Sequence, residues 1–367
     1  MSNASKIFNA DKTDYHKVSL LLGEQDMGLL DTVNKQYPEI WKLYQTLRSQ
    51  DWSETEFDFS TCNVEFKSCS KSQYDMMIKT LAWQWEADSV AARSIVPIIA
   101  PFVSSTELYT AWSRAGENEC LHGNTYSEIV RCSFDNPNDV IDEVLSVKES
   151  LSRLTTISEV FESAYTTSHK YALGTVENNQ ETYNDAFMFV VALLALERIQ
   201  FMSSFAVTFA ICDTGLFQPI GKAVQKIAQD ELEVHVQLDK VVLKHEMNTE
   251  RGQLAFEQNK ELIKKMIDEV VNSEFEWVDY LFSEGRELVG LNADVLKKWV
   301  LFNSKEVYNV FGLDSDHPLP KSNPLKFMEK WLDISKTQPS PQEQDIAAYR
   351  MSIMRRDDEN ESFDVEF

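Results

Sequence analysis

Residues 117–126 read Glu117-Asn118-Glu119-Cys120-Leu121-His122-Gly123-Asn124-Thr125-Tyr126, and they place three chemically active side chains on one potential helix face. Each residue of an α-helix turns by about 100°, so His122 and Tyr126 lie over Glu119. A carboxylate and an imidazole one turn apart can share a metal ion, with a phenol a further turn away. Alone the pair is weak support, because Glu-x-x-His arises often by chance in an acidic chain and usually marks a solvated helix face.

The composition is that of a globular protein with a large core. The chain has 367 residues, of which 43% are hydrophobic and 26% charged. It carries 35 Lys and Arg against 59 Asp and Glu, a formal charge of −24. Such a chain repels phosphate backbones and anionic lipid, so we expect no direct nucleic-acid binding. The longest apolar run, residues 186–196, is too short to span a bilayer, and we expect no membrane association.

The cysteines indicate a reduced, cytoplasmic chain. They are odd in number, widely spaced and without a C-x-x-C pair, which argues against both a disulfide framework and a zinc site. The polar amino terminus has no secretory signal pattern. The five residues are Cys62, Cys69, Cys120, Cys132 and Cys212.

The hydrophobic periodicity predicts helices throughout, and no strand pattern, internal repeat or glycine-rich phosphate loop is seen. We expect an irregular arm over residues 1–60, a helical domain over 61–335 and a flexible, charged tail over 336–367. The expected helices cover residues 37–48, 71–94, 104–132, 140–172 (as one or two), 181–212, 220–246, 253–284 and 293–310.

Four of these helices offer an acid in an apolar setting, namely Asp88, Glu119, Glu197 and Glu231. For Asp88, an exposed position on the polar face is an equally good interpretation when its helix is taken alone. A dinuclear carboxylate bundle needs one acid from each of two helices and a Glu/His pair from each of two others. With His122 and His235 the ligand count matches, which predicts an all-α, ferritin-like di-metal helical bundle with extra helices.

These residues, in this order, resemble the small, radical-generating subunit of class I ribonucleotide reductases from about residue 52 onward. The matching motifs are Trp52, Asp88-Ser89, Glu119-x-x-His122 with Tyr126, Leu196-Glu197-x-Ile199-x-Phe201, Ile227-Ala-x-Asp230-Glu231 and Pro341-Gln-Glu-x-x-x-x-x-Tyr349.

The resemblance implies roles for single residues. Two metal ions would be held by Asp88, Glu119, His122, Glu197, Glu231 and His235. Tyr126 would carry a stable radical, generated with dioxygen, in an apolar pocket lined by Phe201, Phe205 and Ile227. Trp52 and Asp230 would begin a relay that Tyr349 hands to the large subunit, where ribonucleotides are reduced. Asp230 would orient His122 through its free ring nitrogen.

The resemblance also implies partners and a cofactor. The chain would form a homodimer and bind the large subunit through its tail, with Phe363 and Phe367 as anchors. The centre would hold two iron ions, with dimanganese or mixed manganese–iron as alternatives. A di-iron oxygenase or oxidase on the same bundle is the competing enzyme, and a ferritin-like storage protein is the non-catalytic alternative.

One spacing departs from the family pattern. The second pair, Glu231-Leu232-Glu233-Val234-His235, is one residue longer than Glu-x-x-His. On a regular helix the extra residue would rotate His235 by about 100° away from its place. A π-bulge absorbs one inserted residue, so we predict an i→i+5 turn between Ile227 and Leu238, with Glu233 turned away from the metals.

Overall fold

The computed structural model describes residues 18–24 and 28–333 of the chain. These residues confirm the all-α prediction, since their only extended pairings are the isolated bridges Leu21–Val103 and Leu288–Leu291. The helices are α1 Pro38–Ser49, α2 Cys62–Ser68, α3 Lys71–Ile99, α4 Thr106–Ser133, α5 Pro137–Leu145, α6 Lys148–Arg153, α7 Thr155–Ala172, α8 Gln180–Ala195, α9 Phe201–Cys212, α10 Gln218–Asp230, α11 Val236–Glu246, α12 Glu250–Leu281, α13 Ala293–Phe311 and α14 Met328–Trp331. Two 3₁₀-helices cover Glu54–Glu56 and Phe59–Thr61, and two π-helices cover Leu196–Gln200 and Glu231–His235.

The two helices that begin the bundle start at side-chain caps. Ser70 accepts from the backbone N–H of Gln73, and the Gln73 side chain returns the bond, which forms a capping box for α3. Ser105 accepts from the backbone N–H of Leu108 at the start of α4. The start predicted for α4 is therefore confirmed, and the side chain of Ser105 caps it.

Helix α3 continues past Pro97, where the sequence predicted an end at residue 94. A proline in the last turn removes only one helical hydrogen bond, and the next turn closes through Ala100 N–H to Val96 O at 3.0 Å. The buried side chains of Ile98 and Ile99 hold this turn against the core.

Residues 140–172 fall into three helices rather than one or two. The joints lie at Val147 and Leu154, each tightened by an i→i−3 backbone bond of 3.1 Å, to Val144 O and Leu151 O. Both joint residues are buried. Tertiary packing therefore breaks a periodicity that looks continuous in the sequence.

The bundle consists of α3, α4, the continuous α8–π–α9 run and the continuous α10–π–α11 run. Helix α3 packs on α4 and α9, α8 packs on α11, and the two π-helices touch each other. In the part of the chain that the structure describes, Gln180–Cys212 is the one helical run long and apolar enough to cross a membrane, and 94% of its most apolar window is buried inside the protein. This run is the core of the bundle.

The amino-terminal segment packs on the same core as the bundle. Leu20, Leu21 and Leu22 are buried, and Leu22 N–H donates to Phe102 O at 2.7 Å. The division at residue 60 stays a prediction, and the tail predicted for residues 336–367 lies outside the described residues.

Candidate metal centre

The six predicted ligands converge at the middle of the bundle, although they come from four separate helical runs. Their side chains form two overlapping groups whose ligand atoms lie within 4.8 Å of one another. Site 1 consists of Asp88, Glu119, His122 and Glu231, and site 2 of Glu119, Glu197, Glu231 and His235. Glu119 and Glu231 belong to both groups and therefore lie between the other four residues.

Both imidazoles point the same ring nitrogen at the shared carboxylates. Nδ1 of His122 lies 3.1 Å from Glu231 Oε1 and 3.5 Å from Glu119 Oε2. Nδ1 of His235 lies 3.0 Å from Glu119 Oε1 and 3.2 Å from Glu231 Oε2. The arrangement is therefore nearly symmetric about the Glu119–Glu231 pair.

The donor atoms fit a pair of cations. All six residues are at most 3% exposed. Within the described ranges, the carboxylate oxygens of the four acids and Nδ1 of both histidines face one another but form no well-aligned hydrogen bond. Buried carboxylates without partners are costly unless a positive charge compensates them. Oxygen ligands together with imidazoles suit iron or manganese.

The protonation preferences of two acids agree with this interpretation. Burial, followed by the charge of Glu119, raises the pKa of Asp88 well above its usual range. Burial and the charge of Glu231 do the same to the pKa of Glu197. Burial and repulsion between neighbouring carboxylates therefore disfavour the charged forms of Asp88 and Glu197, a cost that divalent cations would relieve.

A hydrogen-bond path leads out of site 1 through Asp230. Its Oδ2 lies 3.2 Å from Nε2 of His122 and accepts from Trp52 Nε1 at 2.8 Å and from Asn118 Nδ2 at 3.1 Å. The predicted contact between Asp230 and the free ring nitrogen of His122 is therefore present. It fixes the ring so that Nδ1 faces the carboxylates.

Tyr126 is fully buried beside this centre. Its Oη donates to Gln84 Oε1 at 3.2 Å. Burial and then the charge of Asp88 raise the pKa of Tyr126 well above its usual range, so the phenol keeps its proton. The expected pocket residues Phe201, Phe205 and Ile227 are fully buried as well.

The predicted wide turn is confirmed, because Glu231–His235 is a π-helix. Glu233 is turned away from the centre, and its carboxylate accepts from the side-chain amides of Gln50 and, at 3.4 Å, Gln229. The extra residue is therefore absorbed by the backbone, and His235 still reaches site 2.

Sequence reasoning missed several residues around the centre. Gln84 and Asp239 could have been found from their spacing, since each lies four residues from a predicted ligand, Asp88 and His235 respectively. Burial raises the pKa of Asp239 well above its usual range, whereas the charge of His235 opposes this rise. The π-helix that carries Glu197 was not predicted either. Tyr349 lies outside the described residues.

Comparisons with known proteins agree on one family. The family model described as "Ribonucleotide reductase, small chain" matches residues 30–324. The chain is 26% identical over 360 residues to the ribonucleoside-diphosphate reductase subunit beta of Haemophilus influenzae, covering 93% of this chain and 94% of the relative. It is 20% identical to the subunit beta of Enterobacteria phage T4, with 96% of each chain covered.

Solved structures show the same fold. The ribonucleotide reductase R2 subunit from Clostridium botulinum has a TM-score of 0.77 at 19% identity, covering 90% of this chain and 99% of that one. The dimanganese(II)-NrdF of Streptococcus sanguinis has a TM-score of 0.65 at 14% identity, covering 82% and 98%.

Proposed function

Since the chain belongs to the ribonucleotide reductase small-chain family, we propose that its buried centre binds two metal ions and uses dioxygen to generate a stable radical on Tyr126. The chain is the small subunit of ribonucleoside-diphosphate reductase, the oxidoreductase that converts ribonucleotides to deoxyribonucleotides. Membership of the family also implies a large subunit as its partner. The direct oxygenase and the storage protein are thereby disfavoured.

The six converging residues would hold the metals. Asp88 and His122 would bind one ion, Glu197 and His235 the other, and Glu119 and Glu231 both. When bound, the two ions supply the redox chemistry that makes dioxygen a sufficiently strong oxidant. We propose two iron ions, with dimanganese and manganese–iron as the alternatives that the same ligands accept.

Tyr126 would lose one electron to this oxidant and one proton from its Oη. The carboxylate of Asp88, whose charge acts on the phenol, would take the proton. Gln84 would keep the ring oxygen oriented through its side-chain oxygen. Full burial among apolar side chains excludes water and external reductants, which would preserve the radical.

The observation that carries the proposal is the hydrogen-bond path from His122 through Asp230 to Trp52. It connects a proposed ligand with a tryptophan that is 8% exposed, at the edge of the core. Such a path can carry an electron between the closed site and the edge of the core while protons shift along its hydrogen bonds. A protein that reacts with substrate inside its own pocket would use the Asp230–His122 contact to orient the ligand, but it would have no need of the extension to Trp52.

The large subunit would be bound through the tail, residues 336–367, with Tyr349 continuing the relay. A short acidic segment ending in Phe363 and Phe367 can place two aromatic anchors in partner pockets. A synthetic peptide of residues 361–367 is expected to compete with the whole protein for the large subunit. Unimpaired assembly after removal of these seven residues would refute this binding mode.

The remaining proposals follow from the family. We propose a homodimer, which would carry two tails, and a helical domain over residues 61–335 between the arm and the tail. A cytoplasmic location fits a reducing enzyme whose cysteines in the described part of the chain are all free.

One experiment tests the central proposal. Protein purified from its own host is analysed for metals and by electron paramagnetic resonance. Two metal ions per chain and a tyrosyl signal coupled to a dinuclear centre are expected. A dinuclear centre without any tyrosyl signal in active enzyme would place the oxidising equivalent on the metals and refute the role of Tyr126.

A further inference from the structure

Arg153 is a charged side chain in the core, 2% exposed at the end of α6. Its guanidinium carbon lies 3.7 Å from the ring centroid of Trp83 and 4.5 Å from that of Trp277. Its Nη2 forms an ion pair with Glu274 Oε1 at 2.6 Å. The two ring faces and the carboxylate compensate the buried charge.

The same guanidinium reaches the π-helix that carries Glu197. Nη2 donates to the backbone oxygen of Gln200 at 2.8 Å, and the side chain of Gln200 donates back to Arg153 O at 2.7 Å. Further bonds of 3.3 Å reach Oγ of Ser203 and of Ser204 on the next turn. Arg153 therefore holds the carboxyl end of Leu196–Gln200 through both its backbone and its side chain.

A π-helix needs such support more than an α-helix does. Its i→i+5 geometry is rare and less favourable than the regular helix, so neighbouring contacts decide whether it persists. Relaxation of Leu196–Gln200 to a regular helix would remove its one surplus residue and change the rotation between α8 and α9 by about 100°, which would turn Glu197 away from its present direction. Glu197 is the one proposed ligand from this helical run and belongs to site 2 alone.

We propose that Arg153 is a positioning residue that keeps the Leu196–Gln200 π-helix in the register directing Glu197 into site 2. The inference rests on the proposed function, since it concerns the binding of the second metal ion. If Arg153 only stabilised the fold through its ion pair with Glu274, its replacement would not lower the metal affinity of site 2 more than that of site 1.

The test is a titration of metal-free protein with Mn²⁺ in the absence of oxygen, followed by electron paramagnetic resonance. The wild type is expected to bind two ions per chain as a coupled pair. Arg153→Lys keeps a positive charge, but its single ammonium group cannot reproduce the forked contacts. We expect site 1 to fill normally and site 2 to lose at least tenfold in affinity, leaving an uncoupled Mn²⁺ signal, as Glu197→Ala should.

Arg286→Lys is the matched control. Arg286 is also buried, and it donates to the backbone oxygens of Leu281 and Tyr280 at the end of α12. It should lower thermal stability without changing either affinity. Amide hydrogen exchange over residues 196–204 should accelerate in Arg153→Lys and not in Arg286→Lys.

Each outcome decides the inference. Wild-type affinity at site 2 in Arg153→Lys would overturn it, and so would equal weakening of both sites. If Arg153→Lys does not fold, Gln200→Met removes the reciprocal side-chain bond and must weaken site 2 selectively. An unchanged titration of that variant would then overturn the inference. A wild type that binds fewer than two ions would instead overturn the proposed function.

Discussion

The indole N–H of Trp52 donates to Oδ2 of Asp230 at 2.8 Å, although the two residues are 178 positions apart in the sequence. The same oxygen faces Nε2 of His122 at 3.2 Å. One carboxylate therefore serves two purposes. It orients a proposed metal ligand and connects that ligand to the edge of the core.

Asp230→Asn tests this shared role. The amide keeps the size of the side chain and one acceptor oxygen, but it removes the negative charge that strengthens the contact with the His122 ring. We expect a 10- to 100-fold loss of metal affinity at site 1, as is typical when an outer partner of a ligand histidine is removed, and loss of nucleotide reduction. The exposed Asp142→Asn is the control, and unchanged metal affinity in Asp230→Asn would contradict the role.

Tyr126→Phe removes only the phenolic oxygen and its bond to Gln84. The loss should destabilise the fold by about 1–3 kcal/mol, because the Gln84 oxygen stays buried without that donor. We expect two bound metal ions, no tyrosyl signal and no nucleotide reduction. Tyr308→Phe removes another buried phenol, bonded to Asp268, and should keep both signal and activity. Full activity of Tyr126→Phe would show that the radical is stored elsewhere.

The sequence predicted one π-helix and not the other, for a definite reason. Glu231 and His235 lie on one helix, so a surplus residue between them is visible as a spacing. Glu197 has no second ligand on its run, and no spacing reveals that Leu196–Gln200 is also wide. The position of the site was predictable because ligand chemistry requires several acids and histidines together.

The burial of Arg153 could not be predicted from the local sequence pattern. Its segment, residues 148–153, is short and rich in charged and polar residues, which is typical of a solvated helix. Tertiary packing buries it, with the rings of Trp83 and Trp277 and the carboxylate of Glu274 against the guanidinium. The breaks at Val147 and Leu154 have the same origin, since distant contacts override a continuous helical period.

Deletion of Glu233 tests whether the π-helix merely absorbs an inserted residue. The deletion restores the spacing Glu-x-x-His, so we expect a regular helix from α10 to α11 and two metal ions still bound. Glu233→Ala keeps the longer spacing and should also bind two ions, because that carboxylate contacts Gln50 and Gln229 instead. Metal analysis checks both variants. Loss of a metal ion in Glu233→Ala would show that this carboxylate is a ligand after all.

Glu246 predicts a pH dependence of stability that is separate from the metal centre. Its carboxylate is buried and accepts from Leu21 N–H at 3.2 Å and from the Tyr183 hydroxyl. Burial raises the pKa of Glu246 from 4.5 to about 7, although these two bonds and the charge of Arg251 oppose the rise. Between pH 4.5 and 7 the folded protein therefore binds a proton that the unfolded chain has released.

It follows that this residue lowers the free energy of unfolding as the pH rises through that window, and that the loss is complete above pH 7. The full effect is roughly 3 kcal/mol, an upper figure taken from the pKa difference. Glu246→Gln cannot ionise, so between pH 5 and pH 8 the wild type should lose roughly 2–3 kcal/mol more than this variant in urea unfolding. The exposed Glu257→Gln should follow the wild type. Parallel curves for the wild type and Glu246→Gln would mean that Glu246 ionises equally in the folded and unfolded states.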